Sequence, residues 1–274
     1  MTDDHTDEAG RFGVTRRGAL GATGAVLGGL ALGGTALAQQ GNGPDGEGPP
    51  GQTDGPRRYR VTVTNLTGGQ PFTPPAVALH RPSVELFSVG EPANEAVRQV
   101  AENGALGPLL DLADSADAVR GAGVFTTDDG PTPLVPEADP GDTGLPYFGA
   151  VEVSADSSAT HLSLVAMLIA TNDGFVGLDT VALPDAVGES HTHYAPGYDA
   201  GTEENTELFR DMVPPAQGLI QGEVTVDGTT ESNPALATDG VITPHPGIEG
   251  DANLDADVYD WTDPAAVVHV ERIA

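Results

Sequence analysis

Two histidines separated by one residue form a pattern that could bind a metal ion. His191 and His193 flank Thr192. On a β-strand, alternate side chains point to the same face, so the two imidazoles of an H-x-H pair can approach one ion. Imidazole nitrogens suit zinc and copper. No third ligand is identifiable beside them, and histidines without a metal are therefore the simpler interpretation.

Carboxylates are too abundant in this chain for an acidic cluster to indicate a site by itself. The sequence contains 41 Asp and Glu residues. Residues 251–257 (DANLDAD) look like a calcium loop, but they lack the central Gly and the terminal Glu of an EF-hand. We expect a solvated loop there. Some carboxylate pair will always be spaced for glycoside hydrolysis, so that spacing predicts no activity.

Sequence motifs of common enzyme classes are missing. The chain has no G-x-S-x-G, no G-x-x-x-x-G-K-[ST] and no H-E-x-x-H. His80 and His161 fall in strand-like segments, where packing or hydrogen bonding is expected rather than catalysis. His245 lies between two prolines and is expected to be exposed. We predict that the protein is not an enzyme.

Composition excludes several classes of partner. The net charge is −30, all 11 basic residues are arginine, and there is no cysteine. Nucleic acids and anionic membrane surfaces both require a basic face, which cannot be assembled here. Without cysteine, disulfides and thiolate metal sites are excluded. An acidic, lysine-free surface suits a hypersaline medium, where salt screens the repulsion between like charges.

The N-terminal region predicts export and a flexible connection. Residues 1–38 contain the pair Arg16-Arg17, a Gly/Ala/Leu stretch and Ala36-Leu37-Ala38, which together indicate a twin-arginine signal peptide. Residues 39–56 form a Gly/Pro-rich linker that is expected to be disordered. The folded domain is then 57–274. After signal cleavage we expect a secreted protein with no stable membrane insertion.

Strands dominate the periodicity of the folded region. Alternating or continuous apolar runs predict strands at 59–65, 77–79, 84–88, 150–153, 160–170, 175–178, 219–226 and 265–273. Helical spacing predicts helices at 94–102, 106–113 and 204–212, the first ending at Asn103-Gly104. This order predicts an all-β, antiparallel β-sandwich with short helical insertions.

Four segments, taken in order, resemble a known family. They are residues 96–104, the loop Thr171-Asn172-Asp173 with Val-Gly-Leu at 176–178, the loop Asp199-Ala200-Gly201-Thr202-Glu203, and a final strand ending in Glu271-Arg272-Ile273. Together they resemble the spondin N-terminal-type domain of F-spondin-like secreted proteins, over nearly all of 57–274. The family has Asp where this chain has Glu203, and Trp where it has Gly174.

The resemblance implies a C2-like β-sandwich with a calcium site in the loops at one end. The family's calcium aspartates match Asp173, Asp199 and Glu203. Calcium prefers six to eight hard oxygens at about 2.3–2.6 Å from flexible loops, which three carboxylates, backbone carbonyls and water can supply. The residues themselves leave the alternative open that Asp173 and Asp199 only form turns.

The function implied by the resemblance is extracellular or cell-surface interaction and adhesion, without catalysis. The partner would be an extracellular protein or a glycan, and the cofactor Ca²⁺. The alternative from a different class is a secreted metalloprotein or metalloenzyme that uses His191 and His193.

Overall fold

The computed structural model describes residues 55–274, and these form a β-rich fold. The predicted signal peptide, 1–38, and nearly all of the predicted linker, 39–56, lie outside the described residues. The strands are β1 (Arg57–Asn65), β2 (Ala76–His80), β3 (Val119–Val124), β4 (Thr126–Thr127), β5 (Gly130–Pro131), β6 (Phe148–Ala155), β7 (His161–Met167), β8 (Gly174–Ala182), β9 (Ser190–Ala195), β10 (Gly197–Asp199), β11 (Thr243–Pro244) and β12 (Ala266–Arg272).

Helices are few and short by comparison. They are α1 (Glu95–Asn103), α2 (Gly107–Ser115), α3 (Pro215–Gln221) and α4 (Ala256–Tyr259), with a 3-10 turn at Phe209–Asp211. No helix among residues 55–274 has the length and apolar character needed to cross a membrane.

Two larger sheets and one small ribbon contain all of these strands, and every strand pair is antiparallel. The first sheet has the order β6-β1-β12-β9, and the second has the order β11-β10-β8-β7-β2-β3. Strands β4 and β5 form the ribbon. The prediction of an antiparallel, β-rich fold is confirmed.

A single apolar cluster joins the two larger sheets. Alternate residues of β1, such as Val61 and Val63, are buried in it, as are Val268 and Val270 of β12. The second sheet contributes Leu162, Leu164 and Val176, among others. Period-two alternation places the polar residues of β1 and β12 on the opposite side of the first sheet.

A second apolar cluster lies between the second sheet and the helices. It contains Val165 and Met167 of β7 and Val97 and Val100 of α1. It also contains Phe209 of the 3-10 turn and Leu219 of α3. Strand β7 therefore contributes side chains to both clusters, which explains its nearly continuous apolar sequence.

Helix α1 begins and ends within one residue of its predicted bounds, because its caps are local. The Asn94 side chain accepts a hydrogen bond from the Val97 N–H at 3.0 Å. At the other end Gly104 has a φ of 62°, a left-handed conformation that favours glycine.

The predicted strand at 84–88 is wrong. The backbone N–H groups of Leu86 and Phe87 donate instead to Oδ1 of Asp179, at 2.6 and 3.4 Å. A carboxylate from β8 thus occupies donors that a strand would use for pairing.

The predicted strand at 219–226 is also wrong, because its first residues belong to helix α3. Gly222 ends this helix with a φ of 74°. Beyond it, the Gln217 side chain accepts hydrogen bonds from the N–H groups of Thr225 and Val226, at 2.8 and 3.2 Å. Those contacts hold the segment against α3 rather than against a sheet.

The predicted helix at 204–212 is reduced to the 3-10 turn at its end. The Thr206 N–H donates to Oδ1 of Asn172 at 3.0 Å, and Glu207 has a φ of 52°. A positive φ interrupts a right-handed helix. The Glu207 carboxylate accepts from the N–H groups of Glu249, Gly250 and Asp251 instead.

Candidate metal centre

Asp173 lies in the turn that joins β7 to β8, and it is completely buried. Thr171 shapes this turn: its hydroxyl donates to the Leu168 carbonyl at 2.6 Å and accepts from the Gly174 N–H at 2.9 Å. The turn holds the carboxylate under the neighbouring loop of residues 200–206.

The two oxygens of the Asp173 carboxylate differ in their contacts. Oδ2 accepts from the Thr202 N–H at 2.7 Å, the Glu203 N–H at 3.0 Å and the Thr202 hydroxyl at 3.2 Å. Oδ1 is buried and has no hydrogen-bond partner. A buried acceptor without a partner costs free energy, and a charged one costs more.

Burial raises the pKa of Asp173 to about 6, and the negative charge of Asp199 adds to the effect. The three hydrogen bonds to Oδ2 oppose this change but do not cancel it. A bound cation would favour the ionised form and reverse the shift.

Asp199 is brought beside the Asp173 turn by strand pairing. It ends β10 and lies opposite Gly174 of β8, and the Ala200 N–H donates to the Asp173 carbonyl at 3.1 Å. Its own carboxylate accepts from the Gly201 N–H and from the Asn205 side chain, both at 2.7 Å. The Asp199 carboxylate therefore shapes the turn that follows β10.

Glycine is required at position 201 for two reasons. Its φ is 70°, and a Cβ atom there would lie 2.6 Å from the Val241 carbonyl oxygen. The close approach of these two loops packs residues 199–203 against the chain near β11.

Glu203 lies between Asp173 and the end of helix α1. Its side chain is nearly buried, and its Oε1 accepts from the Asn233 N–H at 3.0 Å. Burial raises the pKa of Glu203 to about 7, and the negative charges of Glu102 and Asp173 add to this. Glu102 itself accepts a hydrogen bond from the Arg98 guanidinium at 3.0 Å.

The three predicted ligands are thus neighbours in the fold, but their carboxylates do not converge on one point. Within residues 55–274, no group of three or more His, Cys, Asp or Glu side chains is arranged to hold a metal ion. Asp173 provides the feature that fits a cation, because its Oδ1 is buried without a donor. Asp199 and Glu203 supply further negative charge beside it.

Sequence reasoning missed Glu102 and Asn233, which contact or face Glu203. The spacing of Arg98 and Glu102 at i and i+4 is the signal for an ion pair on α1. Nothing local to residues 231–238 indicates that their backbone would reach Glu203.

The H-x-H pair lies on β9, with both rings on the same side of the strand. The ring centroids of His191 and His193 are 6.2 Å apart. Nδ1 of His191 is 3.0 Å from the Ala182 carbonyl, and its Nε2 is 3.5 Å from Oε1 of Glu189. Nε2 of His193 is buried without a partner, and burial lowers the pKa of this residue.

The remaining histidines follow the predictions in part. His80 is completely buried and hydrogen-bonded, with Nε2 2.9 Å from the Ser163 hydroxyl, as predicted. The prediction that His245 is exposed is wrong: its ring packs against Trp261 at 4.9 Å, and its Nε2 is buried. In the segment predicted to be a solvated loop, Asp251, Asp255 and Asp257 are exposed as expected, but Ala256 and Asp257 belong to α4.

No protein-family model matches this chain, and no curated protein matches it at a significant level of similarity.

Proposed function

We propose that the protein is an exported, non-enzymatic module of the spondin N-terminal type that binds calcium and takes part in extracellular or cell-surface interaction. The observation that supports this most is the buried, unpartnered Oδ1 of Asp173 beside Asp199. A carboxylate in that position gains from a nearby cation what it loses in hydration.

In this proposal the two larger sheets form a C2-like β-sandwich, and the calcium site lies in the loops at one end. The shared apolar cluster and the antiparallel pairing support that architecture. Asp173, Asp199 and Glu203 would hold the ion. Carboxylate oxygen is the chemistry that calcium prefers, and binding to the folded state alone would stabilise the fold by mass action.

The proposal is tested by thermal unfolding of the full chain in molar KCl, with calcium and with a chelator. We expect calcium to raise the unfolding midpoint, and we expect Asp173→Asn and Asp199→Asn to abolish that rise. Asp251→Asn is the matched control, because Asp251 is an exposed acid in another loop. It should respond to calcium as the unaltered chain does.

Two outcomes would count against the calcium site. One is an identical midpoint with calcium and with chelator; the other is a calcium response that survives Asp173→Asn.

The alternative is a metalloprotein that uses His191 and His193. It is supported by the unpartnered Nε2 of His193 and by the contact of His191 Nδ1 with the Ala182 carbonyl. When the Nδ1–H of an imidazole donates to a carbonyl, the lone pair on Nε2 of the same ring can bind a metal. Elemental analysis of the same sample separates the two proposals, since zinc or copper retained by the chain and lost in His193→Ala would favour the alternative.

A further inference from the structure

Among residues 55–274, the side of the first sheet that points away from the shared apolar cluster is left uncovered. The strand register arranges its side chains in three rows of four, which we call the outer face. The rows are Phe148, Thr64, Val267 and Tyr194; Ala150, Thr62, His269 and Thr192; and Glu152, Arg60, Glu271 and Ser190.

Large apolar side chains are exposed at one end of the outer face. Tyr194 is 65% exposed and Phe148 is 51% exposed, and Leu66, which follows β1, is 46% exposed. The two aromatic residues lie on the two edge strands, β9 and β6, with Thr64 and Val267 between them. Large exposed apolar side chains that share one face mark an interaction site more often than isolated residues do.

The outer face is not acidic, although the protein as a whole has a net charge of −30. Its first two rows contain no carboxylate. In the third row, Glu152 is neutralised by Arg60 at 2.8 Å and by Arg58 at 3.2 Å, and Glu271 lies 3.7 Å from Arg60. Arg60 and Arg58, which lies on β1 just beyond the third row, therefore balance the two glutamates of the outer face.

The size and charge of the outer face argue against a second copy of the chain as its occupant. With strands about 4.8 Å apart and rows about 6.8 Å apart, four strands by three rows cover roughly 400 Å². A stable interface buries about 800 Å² on each partner. A second copy would also bring a net charge of −30 to the contact, a repulsion that only concentrated salt screens. A narrow, uncharged partner meets neither obstacle.

We propose that the outer face binds an extended, uncharged polysaccharide of the cellulose or chitin type. The rings of Phe148 and Tyr194 would pack against the apolar C–H faces of sugar rings, because aromatic side chains offer a large, rigid apolar surface. Thr62, Thr64 and Thr192 would exchange hydrogen bonds with sugar hydroxyls between them. The inference rests on the interaction role in the proposed function but not on calcium.

The test is depletion of the full chain from solution by microcrystalline cellulose and by chitin, in molar KCl. We expect at least one polysaccharide to remove the protein. Phe148→Ser and Tyr194→Ser should each weaken binding about fivefold, and the double variant should lose it. Val89→Ser is the matched control, since Val89 is 55% exposed and lies outside the outer face.

Three results would overturn the proposal. They are the absence of depletion by both polysaccharides, unchanged binding of the double variant, and a dimer in sedimentation that the double variant abolishes. The last result would assign the face to self-association. Thermal unfolding with calcium is measured on the same samples, so that a lost polysaccharide interaction is distinguished from a failed calcium site.

Discussion

At the scale of single residues, Asp173 and Glu203 are carboxylates whose ionised forms this fold makes costly. Burial is the largest cause at both, raising the pKa from 3.8 to about 6 in Asp173 and from 4.5 to about 7 in Glu203. Between the ordinary and the raised pKa, the folded state binds more protons than the unfolded state. Stability must therefore fall as the pH rises through that window.

We accordingly predict that the calcium-free chain loses stability between about pH 4 and about pH 7. The raised pKa of Asp173 corresponds to a loss of about 3 kcal/mol in the free energy of unfolding at neutral pH, and bound calcium would offset this loss. Urea unfolding at a series of pH values, in molar KCl with a chelator, measures this. Asp173→Asn and Glu203→Gln should each flatten the decline.

Asp251→Asn provides the comparison for the pH series, because an exposed carboxylate should leave the slope unchanged. Equal slopes in all four proteins would mean that the decline comes from general repulsion among surface acids rather than from the two buried groups.

At the scale of elements, helix α1 shows that a short segment of sequence can determine where a helix begins and ends. Asn94 caps it through Oδ1, and its Nδ2 also donates to the Leu86 carbonyl at 2.7 Å. The cap, the apolar spacing and Gly104 are all contained within residues 94–104, so this element was predicted to within a residue.

Asn94→Ala should lower the free energy of unfolding by about 1 kcal/mol, because the Val97 N–H loses its acceptor. Denaturant unfolding measures the change. Asn94→Asp is the informative comparison, since a carboxylate keeps the acceptor and suits a helix N-terminus. If both variants lose the same amount, the stability lies in the contact of Nδ2 with Leu86 rather than in the cap.

Other elements could not be predicted, because distant residues determine them. The N–H groups of Leu86 and Phe87 bind a carboxylate more than 90 residues away. In the candidate site, Asp173 and Asp199 were identified through the resemblance. The hydrogen bonds from Thr202 and Glu203 to Asp173, and from Asn233 to Glu203, depend on how separate loops pack. No local pattern in the sequence encodes them.

At the scale of the whole molecule, charge governs how the protein depends on salt. The chain carries 41 acidic and 11 basic residues. The Debye length is about 10 Å at 0.1 M salt and about 3 Å at 1 M, so that only concentrated salt screens neighbouring surface acids.

We predict that the thermal unfolding midpoint rises steadily as KCl is increased from dilute to molar concentration. A series with sucrose in place of KCl separates charge screening from the general effect of excluded solutes. A midpoint that is insensitive to KCl, or that rises equally with sucrose, would show that repulsion between surface acids does not limit stability.

The pairing of β1 with β12 also determines when the protein can fold. These strands stand at opposite ends of the described chain, yet seven consecutive residue pairs join them, from Tyr59 with Arg272 to Asn65 with Ala266. Strand β9 is joined to the first sheet only through β12. During synthesis, therefore, β1 can pair with β6 early. The sheet stays incomplete, and β9 has no strand to pair with, until β12 has emerged from the ribosome. Assembly of this sheet is a late event that requires closure of a very long loop, and such topologies fold slowly.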